Sequence, residues 1–300
     1  MPIKLKPDEF ILLRDLIEKI SCIRVGDGKA YLIESRLSKV LEEYKCESFT
    51  EFHKKVVTSK DADLLTKIVD AMSTQETLWF RDVHPFKIFG EYLLPQYAAE
   101  IKEGKRQRVK IWSAASSTGQ EAYSISMTIL EKMKVFPHLR SQMFEILATD
   151  IAPSALKIAS NGLYDRIAMG RGLPPPLRER YFSDEGRYTR IIDQVKSFVT
   201  FKQLNLRSDF GALGLFDIIL CRNVAIYFAD DFKRDLYARI RRALAPHGHL
   251  ILGSSESISA YSKEFDLMEF GGGIYYRAKS ANGINTSHAG GEQEAKRKIA

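Results

Sequence analysis

Cysteine is scarce. The three in 300 residues, Cys22, Cys46 and Cys221, lie far apart and form no Cys-x-x-Cys pair. An odd, scattered set argues against a disulfide framework and against a zinc site of paired thiolates, so no metal centre is expected. Long apolar runs are missing too: none approaches the roughly 18 residues of a membrane helix, and no membrane insertion is expected. The first ten residues alternate charges with single apolar side chains and lack the apolar core of a secretory leader, so a soluble cytoplasmic protein is expected. A strong excess of one charge is absent as well. The balance of 45 Lys+Arg against 38 Asp+Glu gives +7, too little to choose between nucleic acid, an anionic surface and an acidic protein partner. With 45% hydrophobic and 28% charged residues, wholesale disorder is excluded.

The chain changes character along its length. Up to about residue 72 only helical patterns occur. Phe10, Leu13, Ile17 and Ile20 share one face, Tyr31 to Tyr44 forms a second amphipathic segment, and two shorter ones follow around 51–57 and 62–72. From Val109 onward short apolar strands alternate with helices: strands at 109–114, 143–148, 216–221 and 249–252, helices at 120–135, 152–160 and 231–244. Such alternation predicts a parallel sheet covered by helices on both faces. A last strand pair is expected on either side of Gly271-Gly272-Gly273. Between Tyr181 and Asn205 the alternation breaks, and Tyr188 to Ile192 with Ser197 to Phe201 predict a small antiparallel hairpin inserted in the α/β core. The expected domains are 1–72, helical; 73–280, α/β with a β subdomain at about 181–204; and a flexible tail, 281–300.

In open parallel sheets, ligands bind beyond the carboxyl ends of the strands. The loop after the first strand, Ser113 to Glu121, is built of small residues and runs into a helix start, but only Gly119 is glycine. It therefore carries neither the G-x-G-x-x-G of a dinucleotide site nor a P-loop. Asp150 ends the second strand, where a carboxylate can accept both hydroxyls of a ribose or can cap the next helix. Asn223 ends the strand 216–221. Three such strand ends without phosphate-gripping glycines predict a nucleoside site, and S-adenosylmethionine fits it because it carries adenosine and an amino acid but no phosphate.

Several of these segments resemble one known family. Thr74-Gln75-Glu76-Thr77-Leu78-Trp79-Phe80-Arg81-Asp82 resembles the T-x-E-T-x-F-F-R-D signature of the CheR-type chemotaxis receptor methyltransferases. Ile111 to Ser124 resembles that family's W-S-A-x-x-S-T-G-E-E-P-Y-S loop. Ala148 to Ile151, Leu204-Asn205-Leu206 and Phe216 to Phe228 follow in the family's order. The likeness runs from about Glu9 to Lys279. It implies a class I (Rossmann-like) S-adenosylmethionine-dependent methyltransferase domain of α/β fold, preceded by an all-helical domain and carrying a small antiparallel β insertion. It also implies methyl transfer to glutamate side chains on the cytoplasmic helices of chemoreceptors, leaving S-adenosylhomocysteine. By position, Gln75, Thr77 and Arg81 would meet the methionine end of the donor, Arg81 pairing with its carboxylate. Glu121 would hold the ammonium and Asp150 the ribose, with Asn205, Leu206, Asn223 and Val224 on the adenine side. The chain departs from the pattern at Gln120, which replaces an acid, at Ala115, Ala122 and Ala225, and at Gln75, where an asparagine is common.

A glutamate carboxylate is already ionised at pH 7, so attack on a sulfonium methyl requires no general base. Proximity and alignment are expected to carry the reaction, and no acid/base pair is assigned. Arg36 and Lys39 lie three apart on one helix face, and the family likeness would set that face against an acidic receptor helix. It also raises a receptor C-terminal peptide docking on the β subdomain by strand addition. Rival readings are a scaffold that binds the donor without transferring its methyl group, and a methyltransferase of nucleic acid. The second lacks an Asn-Pro-Pro-Tyr base-flipping motif, and no nucleic-acid partner is expected.

Overall fold

The computed structural model describes residues 3–279; the tail expected at 281–300 lies outside them. Four helices come first: α1 (Pro7–Ser21), α2 (Ala30–Glu43), α3 (Phe49–Ser59) and α4 (Ala62–Met72). Local chemistry sets their starts. The Ser48 hydroxyl accepts the Glu51 N–H, and the Asp61 carboxylate accepts those of Asp63 and Leu64, which satisfies donors the first turn leaves unpaired. Leu13, Ile17, Ile33, Leu37, Phe49, Phe52, Leu64 and Ile68 are buried together in a core separate from the rest of the chain. Burying each is worth about 1.5–3 kcal/mol. The carboxylate of Glu9, also buried, accepts the Thr50 N–H and hydroxyl and so ties α1 to α3.

The second body is a seven-stranded sheet. Its strands are β1 (Val109–Ala114), β2 (Phe144–Asp150), β6 (Val199–Gln203), β7 (Phe216–Cys221), β8 (Leu244–Ile251), β9 (Phe265–Phe270) and β10 (Gly273–Ala278), in the order β6-β2-β1-β7-β8-β10-β9. The first five in that order are mutually parallel, and β10 runs antiparallel to both β8 and β9. Side chains alternate between two cores. Ile111, Ile218 and Leu220 face one; Trp112, Ile219 and Cys221 face the other. Buried on both sides, such strands read as continuous apolar runs. The helices Gln120–Met133 and Asp230–Ala243 pack on opposite faces, one in each core.

A second, three-stranded antiparallel sheet has the order β3-β5-β4, with β3 (Leu163–Tyr164), β4 (Phe182–Glu185) and β5 (Tyr188–Ile191). The expected insertion is present, but its strands are not the expected pair. Tyr188–Ile191 pairs with the segment before it, through a turn at Gly186, and with Leu163–Tyr164. The segment expected as its partner, Val199–Gln203, is instead the edge strand of the main sheet, parallel to β2. Between them Asp193–Lys196 makes one helical turn rather than a hairpin turn. Gly186 has φ +64, a conformation glycine adopts at no steric cost, so it supplies the turn where Asp193-Gln194 was expected to.

Ahead of β1, Arg106 forms ion pairs with Glu100 and with the buried Asp217 of β7, and Asp217 also accepts the Lys110 N–H. No helix among the described residues is long and apolar enough to cross a membrane.

Candidate donor site

At the carboxyl ends of β1, β2, β6 and β7 lies a cavity that opens to solvent. All nine donor-binding positions expected from the sequence line it: Gln75, Thr77, Arg81, Glu121, Asp150, Asn205, Leu206, Asn223 and Val224. Arg36 and Lys39, on α2, are not among its lining residues.

The loop after β1 is shaped by backbone as much as by side chains. Ala115 and Ser117 have positive φ, and Gly119 (φ +93) sits so close to the helix Pro153–Asn161 that an added Cβ would lie 2.9 Å from that of Ala159. The loop is thereby folded against the end of β2. There Asp150, buried, accepts the Ser117 N–H at 2.8 Å on one oxygen and the Ala152 N–H at 2.9 Å on the other. It caps the following helix and faces the cavity at once, since each carboxylate oxygen keeps a free lone pair. Burial raises its pKa despite the N–H groups that favour the ionised form. The Ser117 hydroxyl donates to the Gln75 side chain at 2.8 Å, joining this loop to the segment 74–82.

That segment crosses from the helical body to the sheet. Trp79, fully buried, anchors it: its ring N–H donates to Ala168, and it packs edge-on against Tyr164 and Phe182 of the small sheet. Phe80, Asp82 and Val83 all have positive φ, as do Cys22 and Asn223. Of the ten described non-glycine residues in that region of φ, three line the cavity and three more adjoin residues that do. Each costs about 1–3 kcal/mol, and such strain persists only where its surroundings over-determine it.

Glu121, in the first turn of its helix, accepts from the Ser113 hydroxyl at 2.7 Å on one oxygen and pairs with Arg222 at 2.7 Å on the other. Arg222 carries no role in the sequence reading. Its side chain is 1% exposed, and it also pairs with Asp82 at 2.9 Å and donates to the Arg81 carbonyl. Burial pushes the Asp82 carboxyl up, but the Arg222 charge and the Ser254 N–H outweigh it and hold the group below its ordinary value. The one legible sign of Arg222 was its place, an arginine directly after an apolar strand.

Two expected contacts differ in detail. The Asn205 amide donates to the Ile20 carbonyl at 2.9 Å, and its oxygen accepts the Arg207 N–H. One end thus holds the end of α1 and the other its own turn, so Asn205 shapes the rim. Ser21 and Ile23 thereby enter the cavity wall, a contribution from the helical body with no local signal in the sequence. Asn223 is held through its backbone: Glu256 accepts the N–H groups of both Asn223 and Gly253. Arg36, expected on a free face, donates to the carbonyls of Met72 and Ser73 and to Thr74. Orphan carbonyls at the end of α4 explain this use. Lys39 is exposed.

The donor set fits S-adenosylmethionine. A buried carboxylate with spare lone pairs suits a diol, Glu121 suits an ammonium, and the Arg81 fork suits a carboxylate. Leu206, Val224 and Phe228 supply apolar wall for a base, and the buried Ser116 hydroxyl beside them has no protein partner.

This strand order, with its one antiparallel hairpin strand and its cavity where the order reverses between β1 and β7, defines a class I S-adenosylmethionine-dependent methyltransferase. Residues 75–273 match the family described as "CheR methyltransferase, SAM binding domain", and residues 8–73 match its "all-alpha domain". The chain is 43% identical over 258 residues, 86% of its length and 92% of the relative's, to "Chemotaxis protein methyltransferase 1" of Vibrio cholerae. It is 41% identical to the protein of that name in Pseudomonas aeruginosa (90% and 98% covered), and 37% identical to a "Probable chemotaxis protein methyltransferase" of Rhizobium etli (80% and 89%). The chain belongs to the CheR methyltransferase family.

Proposed function

We propose that this methyltransferase esterifies glutamate side chains on the cytoplasmic helices of chemoreceptors, and that it does so in the cytoplasm. The observation that carries the reading is the convergence of Arg81, Glu121 and Asp150 on one cavity in a chain whose relatives are named chemotaxis methyltransferases. The donor supplies an electrophilic sulfonium methyl. Gln75, Thr77, Arg81 and Glu121 hold its amino-acid end, Asp150 the ribose, and the walls at Asn205, Leu206, Asn223 and Val224 enclose the base. No protein group need take a proton from an ionised acceptor, so the chain's part is to fix the donor and shield it from water.

The accepting helix docks along α2, with exposed Lys39 meeting its acidic side and Arg36 bracing α2 against the 73–74 linker. A receptor C-terminal peptide adds to the open edge of β4, the outer strand of the small sheet.

The test is transfer from labelled S-adenosylmethionine to purified receptor cytoplasmic fragments, followed by mild alkali. Release of the label as volatile methanol supports a carboxyl ester. Label that survives alkali, or none on any receptor fragment despite donor binding, refutes the reading.

A further inference from the structure

The group that organises the amino-acid end of the cavity is one that faces neither solvent nor an established ligand. Arg222 sits at the end of β7 with 1% of its side chain exposed. Its guanidinium spans three segments that are far apart in sequence. One nitrogen pairs with Glu121 of the Gln120–Met133 helix; the other reaches both the Asp82 carboxylate and the Arg81 carbonyl, with the Phe86 ring 5.6 Å away. Glu121 and Arg81 are the two residues that read the ends of an amino acid in the donor reading of this cavity, on which this inference rests. Arg222 touches the side chain of the first and the backbone of the second.

Two carboxylates share the one Arg222 guanidinium, at a wall where Glu121 is 12% and Asp82 24% exposed. The second cation of that wall, Arg81, is the group the donor reading leaves for a ligand carboxylate. Charges act more strongly in such surroundings than in water, so Glu121, only part-neutralised by a shared partner, favours a ligand cation. A planar fork with several donors can satisfy three acceptors at once; a lysine ammonium at the same Cα has neither the reach nor the geometry. The Ser113 hydroxyl fixes the second oxygen of Glu121, so the carboxylate is held from both sides before any ligand arrives.

We propose that Arg222 is the positioning residue for the methionine half of the donor: it sets the Glu121 carboxylate and the Arg81 backbone together, and leaves Glu121 only part-neutralised, so that it can pair with an α-ammonium. It acts through those two residues and makes no contact with the reacting atoms.

The experiment compares two ligands on the full chain by calorimetry: S-adenosylhomocysteine, which has the amino-acid end, and 5′-methylthioadenosine, which lacks it. Arg222→Lys should weaken S-adenosylhomocysteine by about ten- to a hundredfold, the scale of a lost buried charged hydrogen bond, and leave 5′-methylthioadenosine within about twofold. In the double variant with Glu121→Gln, the lysine should add little to the loss caused by glutamine alone, because the two act as a unit. Equal weakening of both ligands, or full additivity in the double variant, overturns the proposal. Should Arg222→Lys not fold, Asp82→Asn loosens the guanidinium from its other side and must show the same ligand-selective loss; an equal loss for both ligands overturns the proposal there too. Neither ligand needs an acceptor. A chain that binds S-adenosylhomocysteine but esterifies no receptor refutes the receptor reading alone, and a wild-type chain that binds neither ligand refutes the donor site itself.

Discussion

Asp150 shows how one side chain can serve fold and ligand together. Its two oxygens already accept the N–H groups of Ser117 and Ala152, so it holds the loop after β1 and caps the next helix. Capping and ribose binding were alternatives on sequence grounds; the geometry allows both, because a carboxylate has more lone pairs than two N–H groups use. Asp150→Ala should therefore weaken S-adenosylhomocysteine by about 1.5–3 kcal/mol through lost charge-assisted bonds, and lower thermal stability as well by unpairing two buried N–H groups. Asp150→Asn, which keeps one acceptor oxygen, should lose less of each. Calorimetry with a parallel melting curve reads both, and unchanged affinity in the alanine variant removes the residue from the ribose. Its strand-end position marked Asp150, and the family likeness marked Glu121 and Arg81. Neither marked Arg222, whose partners stand 101 and 140 residues away.

At the level of elements, strands buried on both faces were the most legible, since β1 and β7 have the same limits in sequence and structure. The small sheet was the least. The strand that pairs with Tyr188–Ile191 before it, Phe182–Glu185, carries Ser183, Asp184 and Glu185 and gives no apolar signal, whereas the apolar segment 197–201 after it does. The outcome turns on Gly186 for the turn and on β2, which offers Val199–Gln203 a longer parallel partner. Helix α2 carries a test of docking. Lys39→Glu should raise KM for a receptor fragment several-fold and leave donor affinity alone, whereas Arg36→Met should disturb both, because Arg36 holds the linker that leads to Gln75. Methylation kinetics together with donor titration separate the two. If Lys39→Glu leaves KM unchanged, α2 is not the docking helix.

For the molecule as a whole, acid sensitivity has an identifiable source in the sheet itself, outside the cavity lining. His249 of β8 is half-buried against Tyr97 and Tyr275, and desolvation first, then the charges of Arg277, Arg106 and His247, lowers its pKa from 6.5 to about 4. A lowered histidine pKa means that the folded chain resists a proton the unfolded chain accepts. Its contribution is whole above pH 6.5 and falls as the pH drops toward 4, by at most about 1.4 kcal/mol per unit. Urea melts between pH 7 and 4.5 should show this slope, and His249→Gln should flatten it. An unaltered slope assigns the acid sensitivity elsewhere.

The rim held by Asn205 has a consequence for how the two bodies share work. Ser21 and Ile23 from one and the strand ends of the other enclose the same volume. A ligand lodged there is a keystone: it presses on both sides of the arch, and neither side can shift without loosening it. On the proposed docking of a receptor helix along α2, a filled arch would brace the very body that meets the receptor.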